Sequence, residues 1–278
     1  MASDRISPTA HYTGYVWAHN GLSHPALETF EGRLMFNSLR LTDQLSALLG
    51  GPSLNRYLLT RHQALDLRLA EQIESGAVSQ VVEIAAGMSP RGWRFASRYG
   101  SAVTYVEADL PAMAARKRGR LQRIGALSAD HQVLDVDALN DKSFAAVFGG
   151  LDPARGTAVI TEGLLNYLSL EALAGLWARI ARELAAFPSG VYLSELHLAS
   201  DDSLAVRIGI PVLSAFVLGQ VHLHFDSADE VLAALASAGF ARAQLFAGAA
   251  LTGEKPKSGR ELVRIIEAST VHLASTQP

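Results

Sequence analysis

Two acids stand at the end of a β-rich run in this chain, and a small-residue turn precedes them. Val81-Val82-Glu83-Ile84 leads into Ala85-Ala86-Gly87, and Val103 to Val106 leads into Glu107 and Asp109, with Pro111 following. A carboxylate just past a strand can accept both hydroxyls of a ribose, and a tight turn lets a ligand approach the backbone. Such chemistry needs a particular frame. The first run reads as a buried strand entering a turn. Ser89-Pro90 suits a helix start, with serine as cap and proline in the first turn, where its missing N–H is harmless. A helix to about Tyr99 is predicted, then the second strand and the acids. This is the opening βαβ unit of a doubly wound sheet, with a ligand at the carboxyl ends of its strands.

The glycines narrow the choice of nucleoside. A dinucleotide loop wants glycines in GxGxxG spacing because a pyrophosphate must lie close to backbone at a helix N-terminus. Here Ala85 holds the first position and Pro90 the third, so only Gly87 remains. S-adenosylmethionine carries a ribose and an adenine but no phosphate, and one glycine flanked by alanines is enough for its amino-acid end.

The elements needed to hold such a site follow in order. Residues 1 to 25 are polar and aromatic without a clear period, a segment suited to a lid or a surface arm. Helices are expected over 26–49, ending at Gly50-Gly51-Pro52, and over 53–74, stopping at Gly76. After the opening unit come a helix over 111–124, a strand over 131–137, a weaker helix over 143–148 and a strand over 157–161 that enters Glu162-Gly163. A long amphipathic helix over 169–186 and a strand over 191–198 complete the alternation, which argues for a parallel sheet covered on both faces. The last third departs from the rhythm: a helical insertion over 201–218, a turn over 220–225, a helix over 227–238, and two strands, 242–246 and 262–267, flanking a polar loop. The final strand is expected to be antiparallel.

Composition bounds the class. With 278 residues, 49% hydrophobic and 18% charged, the chain can bury a large core, and one domain over 1–278 is expected. Within it, 1–76 form an N-terminal arm and helical cap, 77–198 a cofactor-binding core, 199–226 the insertion, and 227–278 a C-terminal helix and β-hairpin. A net charge of −3 argues against non-specific binding to nucleic acid or anionic membrane. The basic run Arg116, Lys117, Arg118, Arg120, Arg123 spreads over several helix faces and reads as a solvated helix. There is no cysteine, which excludes disulfides, thiolate metal sites and a cysteine nucleophile. The N-terminus has no apolar run for a signal peptide, and the most apolar window, Ile208 to Leu218, is too short for a membrane span, so a cytoplasmic protein is expected.

Four motifs in order, EIAAGMSPRGWR, YVEADLP, LDVDAL and ITEGLLNYL, together resemble the leucine carboxyl methyltransferase family, which includes bacterial polyketide O-methyltransferases. The likeness covers about residues 50 to 200. It implies an α/β, doubly wound, seven-stranded, mostly parallel sheet of the Rossmann-like class I methyltransferase type, and S-adenosyl-L-methionine as cofactor. Carried over residue by residue, it implies that Arg61 pairs with the methionine carboxylate and that Glu83, Ala85, Ala86 and Gly87 underlie the amino-acid end. Asp109, beside Leu110, binds the ribose; Asp135 and Val136 bracket the adenine; Glu162 meets the amino end, with Tyr167 close to the transferred methyl. The family usually has glycine where Ala85 stands and Asp-Thr where Ser89-Pro90 stands.

A sulfonium methyl is already activated, so the protein must align a nucleophile and exclude water. A carboxylate acceptor is ionised at neutral pH and needs no base, whereas a hydroxyl often does. Base candidates are His11, His19, His24, His197, His222 and His224, of which His197 has the best position. His197 and Tyr167 are the candidate catalytic residues. Tyr12, Tyr15, His19, Tyr167, His197, His222 and His224 are expected to line the substrate pocket. His222 and His224, in VHLHF, could form a metal pair, but no third ligand is indicated, and no metal is expected. No Asn-Pro-Pro-Tyr motif follows the fourth strand, against methylation of a base amine. The expected activity is O-methyl transfer to a carboxylate or hydroxyl of a small molecule, by a monomer or homodimer. The alternatives are methylation of a protein C-terminal carboxyl and, in another class, an NAD(P)-dependent oxidoreductase.

Overall fold

The computed structural model describes residues 8–48, 53–201, 222–253 and 263–270. Seven strands form one sheet: β1 (Gln80–Ile84), β2 (Thr104–Asp109), β3 (His131–Asp135), β4 (Thr157–Thr161), β5 (Gly190–Leu196), β6 (Arg242–Ala247) and β7 (Arg264–Ser269), in the order β3-β2-β1-β4-β5-β7-β6. The pairs from β3 through β5 are parallel, whereas β7 runs antiparallel to both β5 and β6. The expected mostly parallel sheet with an antiparallel last strand is therefore present, with β7 lying between β5 and β6.

Every residue of β1, β4 and β5 is buried because helices cover both faces of the sheet. Val81, Ile160 and Leu193 point to the face packed by Leu65 and Leu69 of α3 (Leu54–Glu74) and Phe95 of α4 (Arg91–Tyr99). Val82, Val159 and Tyr192 point to the other face. There they meet Phe144 of α6 (Asp141–Phe148), Trp177 of α7 (Leu170–Leu184) and Leu235 of α8 (Ala228–Ser237). Side-chain caps set several helix starts: Ser53 accepts from Arg56 N, Asn140 from Ser143 N, Ser169 from Ala172 N and Ser227 from Glu230 N.

Three features differ from the sequence expectation. Pro8–His19 forms a helix, α1, although the segment lacks a helical period. It is held on several sides at once, by Phe36 of α2 (Phe30–Leu48), by α3 and by the turn after β1, so it carries no single apolar stripe. A one-turn helix, Gly248–Leu251, stands between β6 and β7. Strand β3 ends at Asp135, and Asp137 instead accepts from Leu139 N at 2.9 Å in the following turn. Residues 202–218 of the insertion expected over 201–218, and 254–260 of the polar loop expected over 252–260, lie outside the described residues. No described helix is long and apolar enough to cross a membrane.

The helix Pro111–Arg123, α5, carries the basic run, and four of its charges are engaged within the molecule. Arg116 pairs with Glu31, Arg118 with Asp135, and Arg120 donates to the carbonyls of Ala26 and Glu28. Lys117 is buried, reaching the Glu107 carboxylate and lying 3.4 Å from the Ala86 carbonyl. His131 Nε2 lies 2.8 Å from the other Glu107 oxygen. Burial opposes ionisation of Glu107, but Lys117 and His131 outweigh it and hold its pKa below the usual carboxylate range. Removing the ammonium would leave a buried carboxylate uncompensated. Lys117→Met is expected to cost about 3–5 kcal/mol in urea unfolding, and adding Glu107→Gln to recover part of that loss.

Candidate active site

Strands β1 and β4 are neighbours from which the chain winds in opposite directions, the switch point at whose carboxyl ends open α/β sheets bind their ligands in a crevice. On the β1 side the turn is tight. Ala85 and Gly87 both adopt positive φ, 54° and 50°. Glycine does so freely, but alanine meets its own Cβ against the backbone, a conformation that costs about 1–2 kcal/mol. Asp109 fastens this turn: its Oδ2 accepts from Gly87 N at 2.7 Å and its Oδ1 from Leu110 N at 2.8 Å. Burial pushes the Asp109 pKa up, partly offset by these two N–H groups.

Opposite lies a buried ionic network that connects four elements. Arg91, fully buried at the start of α4, donates to Asp66 of α3 at 2.6 Å, to Glu83 of β1 at 2.7 Å and to Glu162 just past β4 at 2.7 Å. Glu83 is completed by the Tyr105 hydroxyl at 2.8 Å. Glu162 also receives Arg61 Nε at 3.0 Å and faces His62 Nδ1 at 2.8 Å. Burial would raise the Glu162 pKa, but His62, Arg91 and Arg61 outweigh it and hold it well below the usual carboxylate range. Gly163 has φ of 68°, and a Cβ there would stand 3.2 Å from Arg61 Nη2, so this position also favours glycine.

Glu195, near the end of β5, completes this side. Its Oε1 accepts from Gly163 N at 2.7 Å and lies 3.7 Å from Arg61 Nη1. Its Oε2 is buried with no hydrogen-bond partner. Burial, only partly offset by Arg61, pushes the Glu195 pKa up to about 7.

The helix Pro8–His19 lies across the turn: a Cβ on Gly87 would stand 3.3 Å from the Ala10 side chain, and Gly14 sits against Met88. Its Thr9 hydrogen-bonds Tyr167, in the short helical turn after β4. The helix thus spans both sides of the crevice.

The residues singled out in the sequence divide into groups. Ala85, Ala86, Gly87, Asp109 and Leu110 meet at the turn, and Val136 is buried beside them, its N–H donating to the Asp109 carbonyl at 2.7 Å. Asp135 is a half-exposed partner of Arg118. Arg61 and Glu162 meet across the crevice, whereas Glu83 is saturated by Arg91 and Tyr105 below it. Tyr12, Tyr15 and His19 gather around Phe36, on the side of their helix away from the turn. His197 stacks on Tyr57 at 4.9 Å. His222 and His224 stack on each other at 5.4 Å, and the His222 N–H donates to the Asn166 carbonyl at 2.8 Å. Among the described residues no group of His, Cys, Asp and Glu could hold a metal ion. His11 contacts Thr29 and Arg116, and His24 accepts from Ala26 N. The sequence reading missed His62, Asp66, Arg91 and Glu195. One signal was available: Glu83, Glu162 and Glu195 each stand two residues after an apolar residue of the α3-facing set, which puts all three on one face.

Comparison with known proteins agrees with this architecture. The model of the leucine carboxyl methyltransferase family matches residues 23–181, more than half of the chain. The chain belongs to the leucine carboxyl methyltransferase family. A protein of Mycobacterium tuberculosis (strain ATCC 25618 / H37Rv), provisionally named an S-adenosyl-L-methionine-dependent methyltransferase, is 30% identical over 221 residues, covering 75% of this chain and 61% of that protein. A similarly named protein of Frankia alni (strain DSM 45986 / CECT 9034 / ACN14a) is 40% identical over 96 residues, 34% of this chain and 31% of its own length. The match thus spans less than two thirds of the length of these curated relatives. Among solved structures, a DUF574 family protein from Streptomyces avermitilis aligns with a TM-score of 0.66 at 14% identity, covering 94% of this chain and 96% of the other. A protein from Thermobifida fusca, provisionally named a methyltransferase, aligns at 0.65 and 12% identity, covering 96% of each chain. The shared feature is the fold, the Rossmann-like sheet of class I methyltransferases.

Two stability measurements probe this geometry. Ala85→Gly is expected to raise unfolding free energy by about 0.5–1 kcal/mol, the relief of strain less the added freedom of the unfolded glycine. Glu195 has a folded pKa near 7 against an ordinary 4.5, so the stability it contributes is fully present below 4.5 and lost as pH rises through about 7. Denaturation of the wild type is expected to show up to about 3 kcal/mol of loss across that window, and Glu195→Gln to flatten it.

Proposed function

We propose that this chain is an S-adenosyl-L-methionine-dependent O-methyltransferase acting on a carboxylate or hydroxyl of a small molecule. The observation that carries this reading is the Ala85–Gly87 turn fastened by Asp109 at the carboxyl ends of β1 and β2, facing Arg61 and Glu162 across the switch between β1 and β4. Family membership and the shared fold support it.

The residues present fit this cofactor. Each Asp109 oxygen accepts one backbone N–H and keeps a lone pair for a ribose hydroxyl. Val136 offers an apolar side against the adenine, with Asp135 at its rim. Arg61, buried and held by Glu162, would take the methionine carboxylate, and Glu162 the amino group. When bound, the sulfonium supplies an electrophilic methyl group. What remains for the protein is alignment and exclusion of water, and the helix that crosses the turn to Tyr167 suits the second task. A dinucleotide is a poorer fit, because its pyrophosphate would need glycine where Ala85 and Pro90 stand.

Calorimetry is expected to show micromolar binding of S-adenosylhomocysteine, with Asp109→Ala weakening it by about 1–3 kcal/mol through the lost charged hydrogen bonds. Unchanged affinity in that variant, or saturable binding of NADH in place of S-adenosylhomocysteine, would reverse the assignment.

A further inference from the structure

We propose that Glu195 is the general base of this site and that the acceptor is a neutral hydroxyl, such as a phenol, in preference to a carboxylate. This deepens the methyl-transfer reading above and rests on it.

The first ground is an unmet hydrogen bond. Glu195 is 4% exposed, and its Oε1 is used by Gly163 N at 2.7 Å while its Oε2 is buried and receives no donor. A buried carboxylate oxygen without a donor is costly, and such groups mark functional positions. A hydroxyl entering the crevice brings the donor that Oε2 lacks. A carboxylate brings only acceptors and a second negative charge.

The second ground is the absence of a spare cation on this side of the crevice among the described residues. Arg61, shared by Glu162 and Glu195, would be taken by the carboxylate of the cofactor, Arg91 is held by Asp66, Glu83 and Glu162, and Arg94 by Asp66. An anionic acceptor beside Glu195 and Glu162 would displace one of these pairs or remain unpaired, and either outcome is unfavourable at a buried site. A neutral acceptor disturbs none of them.

The third ground is that the histidines are engaged by ring or hydrogen-bond partners, His62 by Glu162 and the Trp17 ring among them. His11 and His24 are tied to Thr29 and Ala26, His19 rests on Phe36, His222 and His224 stack on each other, and His197 lies flat on Tyr57. The groups facing Glu195 are Arg61 and Tyr57 of α3, Arg91 of α4, Glu162 after β4, Tyr167 in the next turn and Tyr192 on its own strand. Strand β7 presents Ile265 opposite it. Burial among these groups raises its pKa to about 7, the range in which a carboxylate both is available and takes a proton effectively.

The step balances as follows. A lone pair on the acceptor oxygen forms the new C–O bond while the S–C bond of the sulfonium breaks and its electron pair stays on sulfur as a neutral thioether. The hydroxyl proton passes to Glu195 Oε2, and the resulting carboxylic acid returns it to water after the product leaves.

The test uses the full chain with 4-methylphenol, 4-nitrophenol and benzoate as acceptors, S-adenosylhomocysteine calorimetry, and infrared titration of protonated carboxyl groups. The wild type is expected to methylate 4-methylphenol with kcat/KM rising through about pH 7, and benzoate not measurably. Glu195→Gln is expected to lose about 100-fold or more on 4-methylphenol but under about tenfold on 4-nitrophenol, whose more acidic hydroxyl gives up its proton with less help from a base. Its S-adenosylhomocysteine affinity should stay within about threefold, since Gln preserves the acceptor for Gly163 N. The infrared carboxyl signal that titrates near pH 7 should vanish in the variant. Equal losses on both phenols, transfer to benzoate, no transfer to either phenol by a cofactor-binding wild type, or an unaltered infrared signal would each overturn the proposal. A wild type that binds no S-adenosylhomocysteine would instead sink the methyl-transfer reading beneath it.

Discussion

The guanidinium of Arg91 is the fixed point of this structure. It is fully buried, and a guanidinium in that position persists only when carboxylates surround it. Asp66, Glu83 and Glu162 meet that need from α3, β1 and the end of β4. Because the three acids come from separate parts of the chain, the ion sets where α3 and α4 lie on the sheet. Such a cluster contributes modest net stability, since desolvation offsets much of the attraction. Its effect is positional, and breaking any one pair leaves an unmatched charge in the interior.

The turn side is organised by the same physics on a smaller scale. Lys117 joins Glu107 to the Ala86 carbonyl, and Asp109 ties Gly87 to the end of β2. Both connections hold the backbone at Ala85 in a conformation that alanine resists. Local strain survives where the surroundings over-determine it, and such strain collects at sites that bind ligands. A ligand reaching this crevice would therefore meet a preformed surface, with little ordering left to be done.

The distribution of charge also separates two tasks within one crevice. Near Asp109 the donors are backbone N–H groups and the carboxylate keeps free lone pairs, an arrangement suited to hydroxyls. Near Glu162 and Glu195 the charges are paired into a network that leaves two buried atoms, Glu195 Oε2 and His62 Nε2, without hydrogen-bond partners. Arg61 lies between the two carboxylates, 3.0 Å from one and 3.7 Å from the other, so any shift in its balance reaches both. The neighbouring ends of β4 and β5 bring these groups together within one parallel pair.

Much of the frame was legible from local chemistry. The β-branched runs predict β1, β4 and β5, the helical stretch stopping at Gly76 and the long amphipathic run predict α3 and Leu170–Leu184, and the turn at 85–87 with Asp109 after it predicts where a nucleoside would sit. Those features depend on neighbours a few residues away, and a linear chain displays them. The helix at Pro8–His19 was not legible, because its surroundings are other elements on several sides and leave no periodic stripe. Neither were the partners of Arg91 or the burial of Lys117, since nothing in a run of basic residues tells which one will face inward. Identity and order of residues determined the strands, the turn and the acid at 109. Which charges are paired, which tyrosines and histidines face away from the turn, and that Glu195 has an oxygen to spare were decided by tertiary packing, because ion pairing and desolvation depend on distances in space between residues more than a hundred positions apart.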